Sequence, residues 1–272
     1  MGIKQRMNIS IIIPARYGST RFPGKPLALL GGKPVLQWVY EITIQLKPRR
    51  DCTITCHVAT DDTRIAEYCV SQNIPVLMTT SDCHTGTDRA MAATSQLPQK
   101  PDVIINLQGD APFTPPDFVD AMIDGFIHHP AADIVTPIVK LSWDELGALR
   151  TSKQTTPFSG TTVAVNDDGR ALWFSKNIIP AIRKEESLRT KNPAQSPVFR
   201  HIGLYGYTRA ALEKFISLPP SIYEELEGLE QLRPLQAGMY IQTVTVDYAG
   251  RPAMTGIDSP EDLDRAEKLL CR

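Results

Sequence analysis

A cluster of three basic residues on a glycine-bearing loop is the first feature of this sequence that could do chemistry. Arg16, Arg21 and Lys25 lie in "IIIPARYGSTRFPGKPL", directly after an apolar run that ends at Pro14. Glycine lets a backbone approach a ligand closely, and consecutive N–H groups on such a loop can bind an anion. Guanidinium and ammonium groups add donors for phosphate oxygens. The pattern predicts a triphosphate site, and the alternative is a surface loop with solvated cations.

Two carboxylates from distant parts of the chain could complete such a site. Asp110 lies in "QGDAP", just past a predicted strand, and Asp258 lies in "GIDSPED", before the last predicted helix. Two carboxylates can share a magnesium ion that bridges phosphate oxygens. The alternative is that each is a turn or cap residue. Glu261 and Asp262 are better explained as first-turn charges that complement the helix dipole.

The elements that must position these residues alternate between strands and helices in the first half. Continuous apolar strands separated by amphipathic helices predict a parallel sheet covered on both faces. Right-handed crossovers then give a doubly wound, Rossmann-like sandwich, in which ligands bind beyond the carboxyl ends of the strands. The predicted strands are "ISIIIP", "CTITCHVAT", "IPVLMT", "DVIINLQ" and "ADIVTPIV".

The second half is less regular. "TTVAVND" and "ALWFSK" flank "DDG" and predict a hairpin. The polar stretch 182–197 predicts a mobile loop, and "HIGLYGYT" predicts one strand. "SIYEELEGLEQLRPLQAG" predicts one long helix that Pro234 bends or ends.

Composition limits the classes of function. The chain has 272 residues and a formal net charge of -1, so it has no basic field for nucleic acid or a membrane surface. It has no apolar run of eighteen residues, and "MGIKQRMNIS" is too polar for a signal peptide. Five cysteines without a leader indicate reduced thiols, so we expect a cytoplasmic protein.

Several motifs together resemble one family. "PARYGSTRFPGKPL" is followed, in order, by "VATDD", "HTGTDR", "NLQGDAP", "FSKNIIP", "RHIGLYGY", "LEQLR" and "GIDSPEDL". The chain resembles the CMP-KDO synthetase (3-deoxy-manno-octulosonate cytidylyltransferase) family of acidic-sugar cytidylyltransferases over nearly its whole length. The resemblance implies a Mg²⁺-dependent transfer of CMP from CTP to the anomeric hydroxyl of 3-deoxy-D-manno-octulosonate (KDO). Pyrophosphate is the second product, and CMP-KDO serves lipopolysaccharide biosynthesis.

The same resemblance implies the architecture. It is a single cytidylyltransferase domain, 1–272, with a Rossmann-like three-layer α/β/α core of the nucleotidyltransferase (GT-A-like) kind. A smaller α+β subdomain at about 150–235 serves dimerisation and sugar binding. We therefore expect a homodimer whose substrates are CTP and an acidic 3-deoxy sugar.

Roles for single residues also follow from the resemblance. Asp110 and Asp258 are the expected metal ligands, and with Arg16 and Lys25 they form the expected catalytic set. His201 and Tyr205 are two alternations apart, which places them on one face of the predicted strand. The expected nucleotide-binding residues are Pro14, Ala15, Arg16, Ser19, Arg21, Lys25, Thr85, Gly86 and Gln108. The expected sugar-binding residues are Arg89, Gln108, His201, Tyr205, Glu230 and Gln231.

Some positions depart from the family pattern. Ala111 replaces Glu, Cys83 replaces His, Lys176 replaces Arg, and a Lys is missing near Thr162. Because these positions belong near the sugar, they leave a different or modified ulosonic acid open, such as 8-amino-KDO or a sialic-acid-like sugar. A non-catalytic nucleotide-sugar binder also stays open. A sugar 1-phosphate nucleotidyltransferase is disfavoured, because the basic loop is not of the Gly-x-Gly-Thr-Arg type. A GT-A glycosyltransferase is disfavoured, because "QGDAP" lacks an Asp-x-Asp pair.

Overall fold

Strands rich in isoleucine and valine organise the first of two units in this chain. The structure, a computed structural model, describes residues 6–19, 21–83, 85–253 and 256–270. The first unit comprises the described residues up to Asp120, then Leu204–Ile216, and those from Tyr248 onward. The second unit comprises Ala121–Gly203 and Ser217–Asp247.

The strands and helices alternate along the chain. The strands are β1 (Met7–Pro14), β2 (Leu29–Leu30), β3 (Lys33–Pro34), β4 (Cys52–Thr60), β5 (Val76–Met78), β6 (Val103–Asn106), β7 (Ile134–Ser142), β8 (Thr162–Val165), β9 (Ala171–Ser175), β10 (Gln195–His201), β11 (Tyr205–Thr208) and β12 (Ile241–Thr245). The helices are α1 (Val35–Ile44), α2 (Thr63–Ser71), α3 (Gly86–Thr94), α4 (Pro116–His128), α5 (Trp143–Thr155), α6 (Glu185–Lys191), α7 (Arg209–Ser217), α8 (Ile222–Glu227), α9 (Leu232–Gln236) and α10 (Pro260–Leu270). A single 3₁₀ turn, Lys25–Leu27, is also described.

The sheet of the first unit has the strand order β5-β4-β1-β6-β11. The first four strands are parallel, and β11 is antiparallel to β6. The register pairs Pro14 with Ala59 and Ile12 with Asn106, so the carboxyl ends of three strands meet at one edge. This confirms the predicted α/β class and puts the basic loop after β1 at the expected ligand edge.

Helices α1 and α10 both bury apolar residues in this unit. Val35, Val39 and Ile42 of α1 are buried. The last helix, α10, joins Leu30 and Ile257 in a small apolar cluster through Ala266. That cluster holds the segment just before Asp258 in place, so the C-terminal helix helps to position a predicted site residue.

The second unit is organised around β7. That strand pairs with β12 in parallel and with β10 in antiparallel orientation, and β10 continues to β8 and β9. The predicted hairpin is confirmed, because β8 and β9 pair antiparallel around the turn at Gly169. No helix in the described ranges is long and apolar enough to cross a bilayer.

The prediction of a mobile loop over 182–197 is wrong. Helix α6 and the start of β10 occupy that stretch. None of the residues of α6 is buried. Its sequence therefore lacks the apolar stripe by which an amphipathic helix is recognised. Its position depends on polar contacts instead: Glu185 accepts two hydrogen bonds from Arg150, and Arg189 lies over the ring of Trp143.

Two other predicted elements are each split in the structure. The single helix expected over 221–238 is α8 and α9, and the break falls at Gly228, which has φ +62°. Pro234 lies within the first turn of α9, where a missing N–H is tolerated. The single strand expected over 201–208 is the end of β10 and the whole of β11, so His201 and Tyr205 do not share one strand face.

Candidate active site

The carboxyl edge of the first unit's sheet borders a cavity of about 320 Å³. All nine residues predicted to bind the nucleotide line it, as do Arg89, Asp110 and Asp258. Four of the predicted sugar-binding residues are not among the described residues that line this cavity: His201, Tyr205, Glu230 and Gln231. The full lining is Pro14, Ala15, Arg16, Ser19, Arg21, Lys25, Pro26, Cys83, Thr85, Gly86, Arg89, Gln108, Gly109, Asp110 and Asp258.

The loop after β1 is a folded turn. The carbonyl of Tyr17 accepts hydrogen bonds from the N–H groups of Ser19 and Gly24, both at 2.9 Å. Gly24 has φ +74°, a left-handed conformation that glycine adopts without strain. The 3₁₀ turn begins at the next residue, Lys25, whose side chain is only 12% exposed.

Lys25 connects the two predicted metal ligands. Its Nζ lies 2.6 Å from Asp110 Oδ2 and 3.2 Å from Asp258 Oδ1. These two oxygens are therefore at most 5.8 Å apart, the sum of the two contacts. Arg21 Nη2 lies 3.7 Å from the same oxygen of Asp258. Two carboxylates separated by 148 positions in the chain thus converge on one cation.

Backbone contacts hold the two acids together. A Cβ on Gly109 would lie 2.4 Å from the carbonyl oxygen of Pro14, so only glycine fits beside Asp110. The N–H of Ile257 donates to the carbonyl of Asp110 at 2.8 Å. The carboxylate of Asp262 accepts from the N–H of Asp258 at 2.9 Å, and from the next N–H as well. This matches the first-turn role expected of Asp262.

The donor set fits magnesium. In the described ranges, His, Cys, Asp and Glu form no cluster of three or more that could hold a metal ion. Mg²⁺ commonly binds through one or two carboxylates and takes its other ligands from water and substrate phosphates. Asp110 and Asp258 already share a cation, the ammonium group of Lys25. The residues present therefore suit a metal that arrives with a nucleotide.

Helix α3 begins at the cavity with a capping box. The hydroxyl of Thr85 accepts from the N–H of Asp88, and the carboxylate of Asp88 accepts from the N–H of Thr85. Thr85 was expected to bind the nucleotide, and in the structure it both caps α3 and lines the cavity. His84, which precedes it in "HTGTDR", lies outside the described residues.

Arg89 is buried at the cavity wall, at 2% exposure. Its Nη2 donates to Asp61 Oδ2 at 3.1 Å and its Nη1 donates to Thr79 Oγ1 at 2.6 Å. The guanidinium group is therefore fixed by an acid from the end of β4. The position of Arg89 was expected near the ligand, but its dependence on Asp61 was not predicted.

His201 is buried in the second unit. Its Nε2 lies 2.8 Å from Thr136 Oγ1, and its ring meets the Phe174 ring edge-on. Burial, and then the charge of Lys176, lower the pKa of His201 to about 3, so the ring is neutral at physiological pH. A neutral imidazole can exchange hydrogen bonds with hydroxyl groups.

Two lysines and an arginine interact electrostatically in the second unit. Desolvation lowers the pKa of Lys176, and desolvation together with the charges of Lys176 and Arg200 lowers the pKa of Lys153. Glu227 opposes both shifts, and it accepts hydrogen bonds from the hydroxyl of Ser175 and the N–H of Lys176.

The other predicted sugar-binding residues lie on short elements. Gln231 is buried, and its Nε2 has no hydrogen-bond partner among the described residues. Glu230 precedes it in the link between α8 and α9. Tyr205 begins β11 in the first unit, where its ring stacks on that of Tyr207. A buried amide without a partner is costly, which sets Gln231 apart from the other predicted sugar-binding residues.

Three positions near the site were not predicted. Asp61 holds Arg89, Tyr17 organises the loop after β1, and Gly109 allows the close backbone approach beside Asp110. The acidic pair after the second strand and the glycine before Asp110 are visible in the sequence. Their partners are not, because these depend on which strands become neighbours.

Comparisons with known proteins identify the family. The model of the cytidylyltransferase family matches residues 10–242. The 3-deoxy-manno-octulosonate cytidylyltransferase of Maricaulis maris is 40% identical over 264 residues, 97% of each chain. That of Bdellovibrio bacteriovorus is 37% identical over 97% of this chain and 98% of its own.

A solved structure is also similar. A CMP:2-keto-3-deoxy-manno-octonic acid synthetase complexed with CTP aligns with a TM-score of 0.82 and 34% identity, over 97% of this chain and 98% of that one. The resemblance found in the motifs is therefore confirmed, and this chain belongs to the cytidylyltransferase family of nucleotidyltransferases.

Proposed function

We propose that this protein transfers CMP from CTP to the anomeric hydroxyl of KDO, giving CMP-KDO and pyrophosphate for lipopolysaccharide biosynthesis. One observation carries the proposal: Lys25, Asp110 and Asp258 converge in a cavity lined by the whole predicted nucleotide set. Full-length similarity to 3-deoxy-manno-octulosonate cytidylyltransferases supports the choice of CTP and KDO as the substrates.

The basic loop binds the triphosphate. Arg16 and Arg21 offer planar donors to phosphate oxygens, and Lys25 offers a point charge at the position where the two acids meet. The anomeric oxygen of the sugar forms a bond to the α-phosphorus as the bond from that phosphorus to the β-phosphate oxygen breaks. The hydroxyl proton passes to solvent water, and pyrophosphate leaves. Such a displacement depends on positioning and charge neutralisation more than on covalent help from the protein.

Asp110 and Asp258 would hold magnesium. The metal, when bound, neutralises phosphate charge and polarises the phosphoryl group under attack. The two carboxylates fix where that charge acts, and Gly109 and Ile257 fix the carboxylates through the backbone.

The proposed sugar-binding residues are Arg89, Gln108 and Tyr205 in the first unit and His201, Glu230 and Gln231 in the second. The neutral ring of His201 and the unpartnered Nε2 of Gln231 suit sugar hydroxyls. Lys176 acts electrostatically on His201, and its ammonium group suits an anionic sugar. An ammonium-bearing sugar such as 8-amino-KDO would be repelled by this cation, which favours KDO.

Pyrophosphate release tests the proposal. Purified protein with CTP, KDO and Mg²⁺ should release pyrophosphate, and omission of KDO or chelation of the metal should stop it. Parallel reactions with 8-amino-KDO and a sialic acid identify the sugar. Pyrophosphate release with one of these sugars, but none with KDO, would show that this sugar is the substrate instead of KDO. Tight CTP binding without release from any sugar would favour the non-catalytic nucleotide-sugar binder.

We also propose that the enzyme is a cytoplasmic homodimer, as the resemblance implies. Light scattering coupled to size-exclusion chromatography would test the oligomeric state. A mass of about 60 kDa, twice the 30.1 kDa of the chain, is the expected result. A mass that stays at 30.1 kDa at working concentrations would contradict the dimer.

A further inference from the structure

The acidic pair at the end of β4 holds two different arginines. Asp61 accepts from Arg89 at the cavity wall, as described above. Asp62 caps α2 by accepting from the N–H of Arg64, and it also accepts from Nε and Nη2 of the same residue at 2.9 and 2.7 Å. These bonds fix the plane of the Arg64 guanidinium although its side chain is 57% exposed.

Arg64 lies against the loop after β1. Its Cζ is 3.4 Å from the centroid of the Tyr17 ring, which is a cation–π contact. Asp62 sets the position of the cation, and the cation in turn restricts the ring. Neither Arg64 nor Tyr17 is among the described residues that line the cavity.

Tyr17 organises the loop through its backbone carbonyl and its aromatic ring. Its carbonyl accepts from the N–H groups of Ser19 and Gly24. Its ring fills the space beside Gly24, where a Cβ would lie 3.0 Å from the ring Cζ and hydroxyl oxygen. Gly24 is followed directly by Lys25, whose ammonium group meets Asp110 and Asp258.

We propose that Asp62, Arg64 and Tyr17 form a brace that positions the triphosphate loop for nucleotide binding. The three residues act through the loop backbone, so they are positioning residues and do not touch the reactants. Their shared function is to keep the turn at Gly24 formed before CTP arrives. A preorganised loop binds its ligand without first losing conformational freedom. This inference rests on the proposed function, because it takes CTP as the ligand of the loop.

Calorimetric titration of the full chain with CTP and Mg²⁺, without sugar, tests the brace. Arg64→Gln removes the cation and leaves Asp62 as the helix cap. Tyr17→Leu removes the ring without a change in charge, and Tyr17→Phe keeps the ring. Arg150→Gln is the matched control, because it breaks an exposed two-bond pair with Glu185 at a residue that does not line the cavity.

The brace predicts a graded loss of CTP affinity. Arg64→Gln should weaken binding about two- to fivefold, as expected for an exposed cation–π contact. Tyr17→Leu should weaken it about tenfold, since loop positioning is then lost. Tyr17→Phe and Arg150→Gln should stay within about twofold of the unmodified protein. The double variant Arg64→Gln/Tyr17→Leu should bind no more weakly than Tyr17→Leu alone, because both changes break one contact.

Kinetics add a readout that a structural role alone would not produce. In Tyr17→Leu, the KM for CTP should rise while kcat and the KM for the sugar change less than about twofold. Unchanged CTP affinity in Arg64→Gln and Tyr17→Leu, with normal binding by the unmodified protein, would overturn the brace alone. Strictly additive losses in the double variant would also overturn it. Failure of the unmodified protein to bind CTP would overturn the proposed function together with this inference.

Discussion

The cavity of the first unit and the surroundings of His201 in the second unit differ in how they handle charge. In the cavity, acids and cations are paired across the chain: Lys25 with Asp110 and Asp258, and Arg89 with Asp61. Near His201, burial lowers the pKa of the imidazole, of Lys176 and of Lys153, and Glu227 opposes the shifts of both lysines.

This difference shows what each region can accept. Paired charges can separate when a metal and a triphosphate arrive, since each partner finds a new counter-charge. Lys153 already donates to four backbone carbonyls, so Lys176 is the partly desolvated cation that an anion or a hydrogen-bonding hydroxyl would stabilise. The first region therefore suits the nucleotide and metal, and the second suits an acidic sugar.

The largest effect should come from Asp110→Asn. The variant keeps the shape of the side chain but removes one of the two charges that meet at Lys25. We expect turnover to fall at least about a hundredfold, with the melting temperature nearly unchanged. Pyrophosphate release and thermal unfolding measure the two quantities.

Asp117→Asn is the matched control for that variant. Asp117 pairs with Arg251 in the same unit but does not line the cavity. It should keep most of the activity. A fully active Asp110→Asn would refute the metal role of Asp110.

The pH dependence of stability should distinguish the second region. The pKa of His201 is lowered to about 3 from an ordinary 6.5. Between these values the unfolded chain binds a proton that the folded chain does not, so stability is complete above pH 6.5 and falls as the pH falls towards 3. The loss has a limiting slope of about 1.4 kcal/mol per pH unit.

Urea unfolding at pH 7, 6 and 5 measures this loss, with His201→Gln as the comparison. The variant lacks the titrating ring, so its free energy of unfolding should fall less steeply with pH. Parallel curves for the two proteins would contradict the assignment of His201 as buried and neutral.

Lys176→Met should separate the two regions kinetically. Removal of this cation weakens the attraction for an acidic sugar, so the KM for KDO should rise about tenfold and the KM for CTP should stay constant. The pKa of His201 should rise at the same time, because Lys176 contributes to its depression. Steady-state kinetics and an NMR titration measure these effects.

Lys191→Met, at an exposed position of α6, is the control for general loss of charge. An equal rise in both KM values for Lys176→Met would mean that this region does not distinguish the two substrates.

The smallest expected effect is on the free energy of unfolding, when a glycine in each unit is replaced by alanine. Gly24 and Gly228 both have positive φ, at +74° and +62°. Alanine should cost about 1–2 kcal/mol at either position. Gly24→Ala should cost more, because a Cβ there meets the Tyr17 ring, whereas a Cβ on Gly228 meets no described atom within 4 Å. Denaturant unfolding gives both values. Equal losses of unfolding free energy would show that the Tyr17 ring moves aside at little cost.

The first unit was largely predictable from sequence. β1 and β6 are mostly apolar and buried, β4 is buried at its carboxyl end, and a parallel sheet buries both faces of such segments. The position of the basic loop at the sheet edge follows from that topology. The meeting of Lys25 with Asp258 does not follow, because the two residues lie 233 positions apart and nothing local signals the contact. The sequence offered Asp258 as a possible partner of Asp110, and the family resemblance singled it out as a metal ligand.

The second unit was harder to predict because its elements are short or polar. α6 has no apolar face, and α8 ends at Gly228 rather than at the more conspicuous Pro234. α5 was missed, although Ser142 and Glu145 form a capping box that is readable in "SWDE". The strand break after His201 depends on pairing with other strands, which periodicity alone does not reveal.

A crystal grown with CTP and Mn²⁺ would test the central claim most directly, through the anomalous signal of the metal. The account predicts one manganese peak about 2.0–2.2 Å from carboxylate oxygens of both Asp110 and Asp258, with triphosphate oxygens completing the coordination. It also predicts that Lys25 Nζ contacts the triphosphate. A nucleotide-bound metal that neither aspartate coordinates would contradict the account.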